Sequence, residues 1–235
     1  MADYYKFTGN PDLSISYAYG EHWKNDQGYS AVLRKGSYHH FFGGKTWRLP
    51  ICSNCKASYH QIINLDINDP KISFLSKKIK CLPLIACLNC SESWNRFYYR
   101  IDNKLIISEL TVNDTQHWIQ EDDLKITVSL PKIDLTLEEI PLSDNPITKE
   151  KYDSAIDTAG TKSICYVSGA PIYLQNPINY ECPVCKRRMN YVATVFSDVS
   201  GNLKDYDIDF DLGEMFLYYC FCDNCDLVVC ETQGF

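Results

Sequence analysis

Four Cys-x-x-Cys pairs, Cys52/Cys55, Cys87/Cys90, Cys182/Cys185 and Cys222/Cys225, take up eight of the chain's 12 cysteines. Between Cys55 and Cys87 lie 31 residues, and between Cys185 and Cys222 lie 36. Two cysteines three apart on a tight turn aim their sulfurs at one centre, and a second such turn completes a tetrahedron. Soft thiolates select zinc or iron, and zinc is the default where nothing suggests redox chemistry. The spacing therefore predicts two structural Zn2+ ions. One sits on Cys52, Cys55, Cys87 and Cys90, the other on Cys182, Cys185, Cys222 and Cys225, with the pairs matched within each half and not crossed. Four protein ligands leave no open coordination position, so such sites are structural and not catalytic.

Two neighbours are weaker alternatives as ligands. Cys220 lies two residues before Cys222 on an expected strand and shares its face, but the Cys-x-x-Cys spacing favours Cys222. His60 follows Cys55 by five residues without a ligand-like spacing to a knuckle. Cys81, Cys165 and Cys230 read as small buried residues. A thioredoxin-like reading of Cys182-Pro183-Val184-Cys185 needs a strand before it and a helix after it. Residues 191–196 read as strand instead, so redox chemistry is the poorer account.

The chain of 235 residues is 45% hydrophobic and 13% aromatic, enough for a sizeable core. Its 17 tyrosines favour strands or contact surfaces. A net charge of -7 argues against non-specific nucleic-acid binding. The polar start carries no apolar signal-peptide core, and the longest apolar runs, such as residues 82–88, are too short to span a bilayer. A cytoplasmic location is expected, with the cysteines held as thiols or metal thiolates.

The halves echo each other. Phe42-Gly43-Gly44 and Trp47-Arg48-Leu49-Pro50 precede a knuckle, the strand Gln61-Ile62-Ile63-Asn64-Leu65 and a second knuckle. Ser168-Gly169-Ala170-Pro171 precedes the same series in the second half, with a strand at 191–196. Apolar strands at 82–86 and 215–221 feed Cys87-Leu88-Asn89-Cys90 and Cys222-Asp223-Asn224-Cys225. The expected fold is α+β, mainly β: a duplicated β-rich unit with a pseudo-two-fold relation, each half clipped by a four-cysteine zinc site. Residues 1–110 form the first half and 163–235 the second. Residues 111–162 form an acidic connector with a strand at 124–130 and a short helix from Asn145-Pro146 to about residue 159.

The alternation of Asp205, Asp207, Asp209 and Asp211 with Tyr206, Ile208 and Phe210 predicts a strand with a solvated carboxylate face. Lys77-Lys78-Ile79-Lys80 and Lys186-Arg187-Arg188 place basic runs beside knuckles. His39-His40 before Phe41-Phe42 reads as packing at the entry to a strand. Phosphate-cradling loops, nucleophile elbows and zinc-hydrolase or deaminase motifs are absent, so nothing supports an enzyme.

The chain resembles the YwqG-like family, bacterial relatives of the programmed-cell-death-2-type ribosome-assembly proteins. The likeness is carried by Phe42-Gly43-Gly44 leading to Leu49-Pro50, by residues 61–65 with Pro70, and by residues 168–175, similar to a Gly-Gly-x-Pro-x-Trp-x-Gln signature in which Ser168 replaces a glycine. Ser197-Asp198 and residues 211–219 extend it. The resemblance implies a duplicated, β-rich, non-enzymatic binding fold, with a toxin or a ribosomal protein as the kind of partner. The first expectation is thus a cytosolic protein-binding module, an immunity protein or dedicated chaperone for a basic partner. A zinc-ribbon RNA-binding protein is the second, and a metal-dependent enzyme the third.

Overall fold

A computed structural model describes residues 27–90, 96–102, 107–110, 129–141, 154, 160–161, 163–175, 178 and 180–234. Among the described residues there are eleven strands: β1 Gly28–Leu33, β2 His40–Phe42, β3 His60–Asp66, β4 Cys81–Ala86, β5 Phe97–Ile101, β6 Ile107–Leu110, β7 Ile133–Glu139, β8 Cys165–Ser168, β9 Asn190–Val195, β10 Met215–Cys222 and β11 Leu227–Gly234. The fold is mainly β, as expected. The strand expected at 124–130 falls almost wholly outside the described residues, and of the expected helix only Ser154 is described, as helical.

The chain forms two compact units, each built from separated stretches. Unit 1 takes residues 1–33, 137–220 and 233–235; unit 2 takes 34–136 and 221–232. In unit 2 the strand order β4-β3-β2-β7 is antiparallel throughout, with Phe41 opposite Asn64 and Phe42 opposite Ile63 and Ile133. All seven residues of β3 are buried although four are polar, and each of these four has a hydrogen bond. His60 Nδ1 accepts from Leu88 N–H, Gln61 Nε2 donates to Gly43 O, Asn64 Oδ1 accepts from Trp47 Nε1, and Asp66 Oδ2 accepts from His39 N–H. Pro83 sits in β4, the last strand in that order, where a missing N–H costs no ladder bond. Its carbonyl accepts a hydrogen bond from the buried Tyr99 hydroxyl of β5 at 2.7 Å.

Unit 1 repeats this order with different residues. β9 lies between β10 and β8, and β8 pairs with β1: Tyr166 faces Thr194, and Val167 faces Ala193 on one side and Tyr29 on the other. Asn64 and Thr194 each lie 12 residues beyond the first cysteine of their knuckle. The strand beside β2 comes from after its knuckles, whereas the strand beside β8 comes from before them. No local pattern distinguishes these two routes.

Both units need a left-handed residue where the strand before the knuckle ends. Gly43 and Gly44 have φ of 64° and 91°, and Gly43 packs so closely on Pro131 O that any side chain would collide. In unit 1 the corresponding residues are Ser168 and Gly169, with φ of 60° and 68°. Gly169 is required by its approach to Gly28, whose Cα would lie 2.6 Å from an added Cβ. Ser168 is instead strained, and its buried hydroxyl has no hydrogen-bond partner among the described residues. Ser168→Gly is expected to stabilise the protein by about 1 kcal/mol, as relief of the left-handed strain outweighs the added freedom of the unfolded chain. An upward shift of the urea midpoint at unchanged slope checks this.

The expected aspartate strand is not one. Lys204–Tyr206 is a 3-10 turn, and Asp207 is left-handed at φ 56°. Asp198 holds the loop by accepting from Asn202 Nδ2 at 2.7 Å and Leu203 N–H at 2.6 Å. Asp211 accepts from Ser197 Oγ and Gly213 N–H. Ile208, Phe210 and Leu212 are nonetheless buried, and the aspartates between them are exposed. Alternating polarity set which side chains go inward, but side-chain-to-backbone bonds from Asp198 and Asp211 replaced the ladder.

In unit 2 a buried histidine ties the β3–β4 connection to β2. The Asp66 N–H donates to His40 Nδ1 at 3.0 Å, so Nε2 carries the hydrogen and donates to Asp69 Oδ2, also at 3.0 Å. Burial is the largest influence on this ring and holds its pKa below the ordinary histidine value, against the pull of Asp69. The unfolded chain therefore binds the proton more readily. The contribution of neutral His40 is complete above about pH 6.5 and is lost as pH falls through the lower folded value. Thermal unfolding midpoints measured from pH 7.5 to 5 are expected to fall, with a shallower fall in His40→Gln.

Candidate metal centres

Each first knuckle is a short hairpin with the same backbone bonding. In one, Cys52 N–H donates to Ala57 O at 2.8 Å, Lys56 N–H to Cys52 O at 3.1 Å, and Tyr59 N–H to Pro50 O at 3.0 Å. In the other, Cys182 N–H donates to Arg187 O, Lys186 N–H to Cys182 O and Met189 N–H to Tyr180 O, each at 2.8 Å. Lys56 and Lys186, immediately after the second cysteine, are both left-handed, at φ 64° and 61°. That turn points both cysteine side chains of a knuckle the same way.

The structure brings the eight cysteines together as two groups of four. Cys52, Cys55, Cys87 and Cys90 form one, Cys182, Cys185, Cys222 and Cys225 the other, and within each group all sulfurs lie within 4.8 Å of one another. In the first group the Cys52–Cys90, Cys55–Cys87 and Cys87–Cys90 sulfurs are 3.6, 3.5 and 3.5 Å apart. Four sulfurs about 2.3 Å from a tetrahedral ion lie about 3.8 Å from each other. The arrangement fits a thiolate-bound ion, and no cysteine is in a disulfide. Without a cation the neighbouring Cys52 and Cys90, together with burial, hold the Cys87 thiol far above the ordinary thiol range. A divalent ion reverses that logic by coordinating the deprotonated sulfurs.

Both competing ligands are excluded by position. His60 is buried on β3, and its Nδ1 accepts the Leu88 N–H at 3.3 Å. It thus supports the Cys87/Cys90 knuckle from behind and is not one of the four ligands. Cys220 is buried in unit 1, where desolvation pushes its thiol up to about 12. Cys222 ends β10 at the turn, where its carbonyl accepts the Cys225 N–H at 3.3 Å. Cys81, Cys165 and Cys230 also lie outside both groups.

Outer contacts hold the knuckles in unit 2. Lys78 Nζ donates to the Asp223 and Asn224 carbonyls at 2.7 and 3.4 Å, and Asn224 Nδ2 donates to Cys225 Sγ at 3.7 Å. Lys78, read in the sequence as part of a basic spot, is thereby committed to the knuckle backbone. Such outer partners orient first ligands and tune their basicity. Spacing alone gave no sign of either Lys78 or His60 in these roles, because both reach a knuckle only through the fold.

No family model, curated protein or solved structure is similar to this chain. Among the described residues no helix is long and apolar enough to cross a membrane.

Proposed function

We propose that the chain is a non-catalytic, zinc-stabilised protein-binding module of the cytoplasm that caps a basic partner. The observation that carries this reading is that both four-thiol groups are complete within the chain. An ion held there has no open position for water or substrate, so its role is to fix the fold. A catalytic metal would need a ligand missing from one group. Zinc on four thiolates leaves a net charge of -2 at each site, so the loaded protein is more acidic than its formal -7. That field favours a basic partner and speeds its encounter.

The corresponding registers and knuckle hairpins of the two units support a duplicated scaffold, in line with the YwqG-like resemblance. Within that resemblance a toxin or a ribosomal protein is the class of partner. Capture from native extract by the zinc-loaded, tagged chain is expected to recover one basic protein in stoichiometric amount. Recovery of no protein partner overturns the reading.

A second reading has one observation behind it. Lys186, Arg187 and Arg188 are exposed on the knuckle hairpin beside Val184, itself 54% exposed. RNA binding at this tip predicts affinity that falls steeply between about 50 and 200 mM salt, measured by filter binding with single-stranded RNA.

A further inference from the structure

Unit 1 contains a cleft that the metal centres do not use. β1 and β8 are in register from Gly28 opposite Ser168 to Ser30 opposite Tyr166. Beyond that point residues 31–33 and 163–164 line a cleft of about 300 Å³, together with Asn202, Asp205 and Tyr206. Its walls are fixed by bonds directed elsewhere. Ile164 O accepts the Phe196 N–H at 2.9 Å, Ser163 Oγ donates to Cys165 O at 3.1 Å, and Asn202 Nδ2 is held by Asp198.

The lining has a definite chemical character. Ala31 and Ile164 are buried, while Val32 and Leu33 are partly open. Tyr206 is 48% exposed, and among the described residues Asp205 is the single charged side chain that lines the cleft. Asp207 and Asp209 follow directly and are exposed, as is Val199 at 68%. Lys204 is the one cation between residues 198 and 211, and its stem lies over Gly201. A single carboxylate beside an aromatic face and an aliphatic wall matches a long cationic side chain. The stem packs on the wall, and the charge meets the carboxylate and the ring. The volume lies at the small end of ligand sites and suits one or two side chains, not a folded element.

We infer that this cleft receives a lysine or arginine side chain from an extended basic segment of the partner protein. The inference rests on the proposed module reading and gives that reading its contact surface.

The test uses the zinc-loaded full chain and a fluorescein-labelled nine-residue peptide with a central Lys-Arg pair in a Gly/Ser background. Anisotropy is expected to show saturable binding, which a Glu-Glu version of the peptide lacks. Amide shifts are expected to concentrate at residues 31–33, 163–164 and 202–206. The double variant Asp205→Asn/Tyr206→Ala, altered only at exposed side chains, is expected to bind about tenfold more weakly. Asp134→Asn removes the same charge from an exposed position on β7 and is expected to change affinity less than about twofold. Shifts located elsewhere, or equal loss in Asp134→Asn, overturn the cleft. So does the absence of peptide binding in a preparation that still captures a basic partner from extract, and there the module reading survives. Peptide binding at the cleft with no partner captured from extract sinks the module reading and leaves the cleft standing.

Discussion

Stripping the metal under reducing conditions is expected to release two zinc ions per chain and to abolish the cooperative unfolding transition. Structural zinc on thiolates contributes about 10–16 kcal/mol of apparent binding energy at neutral pH, whereas a whole domain is stable by only about 5–15 kcal/mol. The strands flanking each group reach it through short hairpins whose own backbone bonds are few. Four thiols crowded within 4.8 Å pack poorly once the ion is gone, because they then have only weak hydrogen bonds to offer. The loss should therefore spread from the knuckles into β3, β4, β9 and β10. Elemental analysis of gently purified protein, followed by thermal unfolding before and after chelation, measures both parts. Cys87→Ser is expected to lower the metal content from two to one, since Cys87 belongs to the first group alone. In cobalt-substituted protein the absorption bands of two all-thiolate tetrahedral centres should appear, and half their intensity should go with Cys87→Ser. Zero or one metal in the unmodified chain would falsify the assignment.

The second large effect is expected at Tyr218 in unit 1. This side chain is fully buried, its hydroxyl accepts the Leu174 N–H at 3.0 Å, and it donates to Ile172 O at 2.7 Å. Ile172 and Leu174 are themselves buried, so water cannot take over these bonds. The ring also packs on Tyr173 with centroids 5.3 Å apart. Tyr218→Phe keeps the ring and orphans one donor and one acceptor, costing about 1–3 kcal/mol. Tyr218→Ala adds a cavity and should cost about 3–5 kcal/mol or more. Urea unfolding of the metal-loaded variants separates the two contributions, and equal midpoints for Phe and Tyr at this position would remove the hydroxyl from the account.

Tyr218 also marks a limit of reading along the chain. Its place in an apolar strand at 215–221 is visible in the sequence, and β10 spans Met215–Cys222. Its bond to a segment 44 residues earlier is not, because a phenol at a buried position can satisfy itself against any nearby backbone. His40 is a similar case. Its neighbours along the chain suggest only strand-entry packing, and the structure adds the bonds to Asp66 and Asp69 that hold the β3–β4 connection.

The four Cys-x-x-Cys pairs were legible from the sequence because each knuckle is local. Three-residue spacing on a tight turn imposes the direction of both sulfurs before any tertiary contact forms. The buried strands β4, β9 and β10 were legible for a similar reason, since apolar runs between turn signals are a property of neighbouring residues. The spacing also favoured Cys222 over Cys220, and the group that forms contains Cys222. The tertiary structure alone decided that Lys78 and His60 support the knuckles. It also decided that β1 pairs with β8, that Ser168 adopts a glycine's conformation, and that Asp205 to Asp211 form a loop. Each of these outcomes depends on where a distant segment comes to rest, and period, spacing and composition carry no information about that.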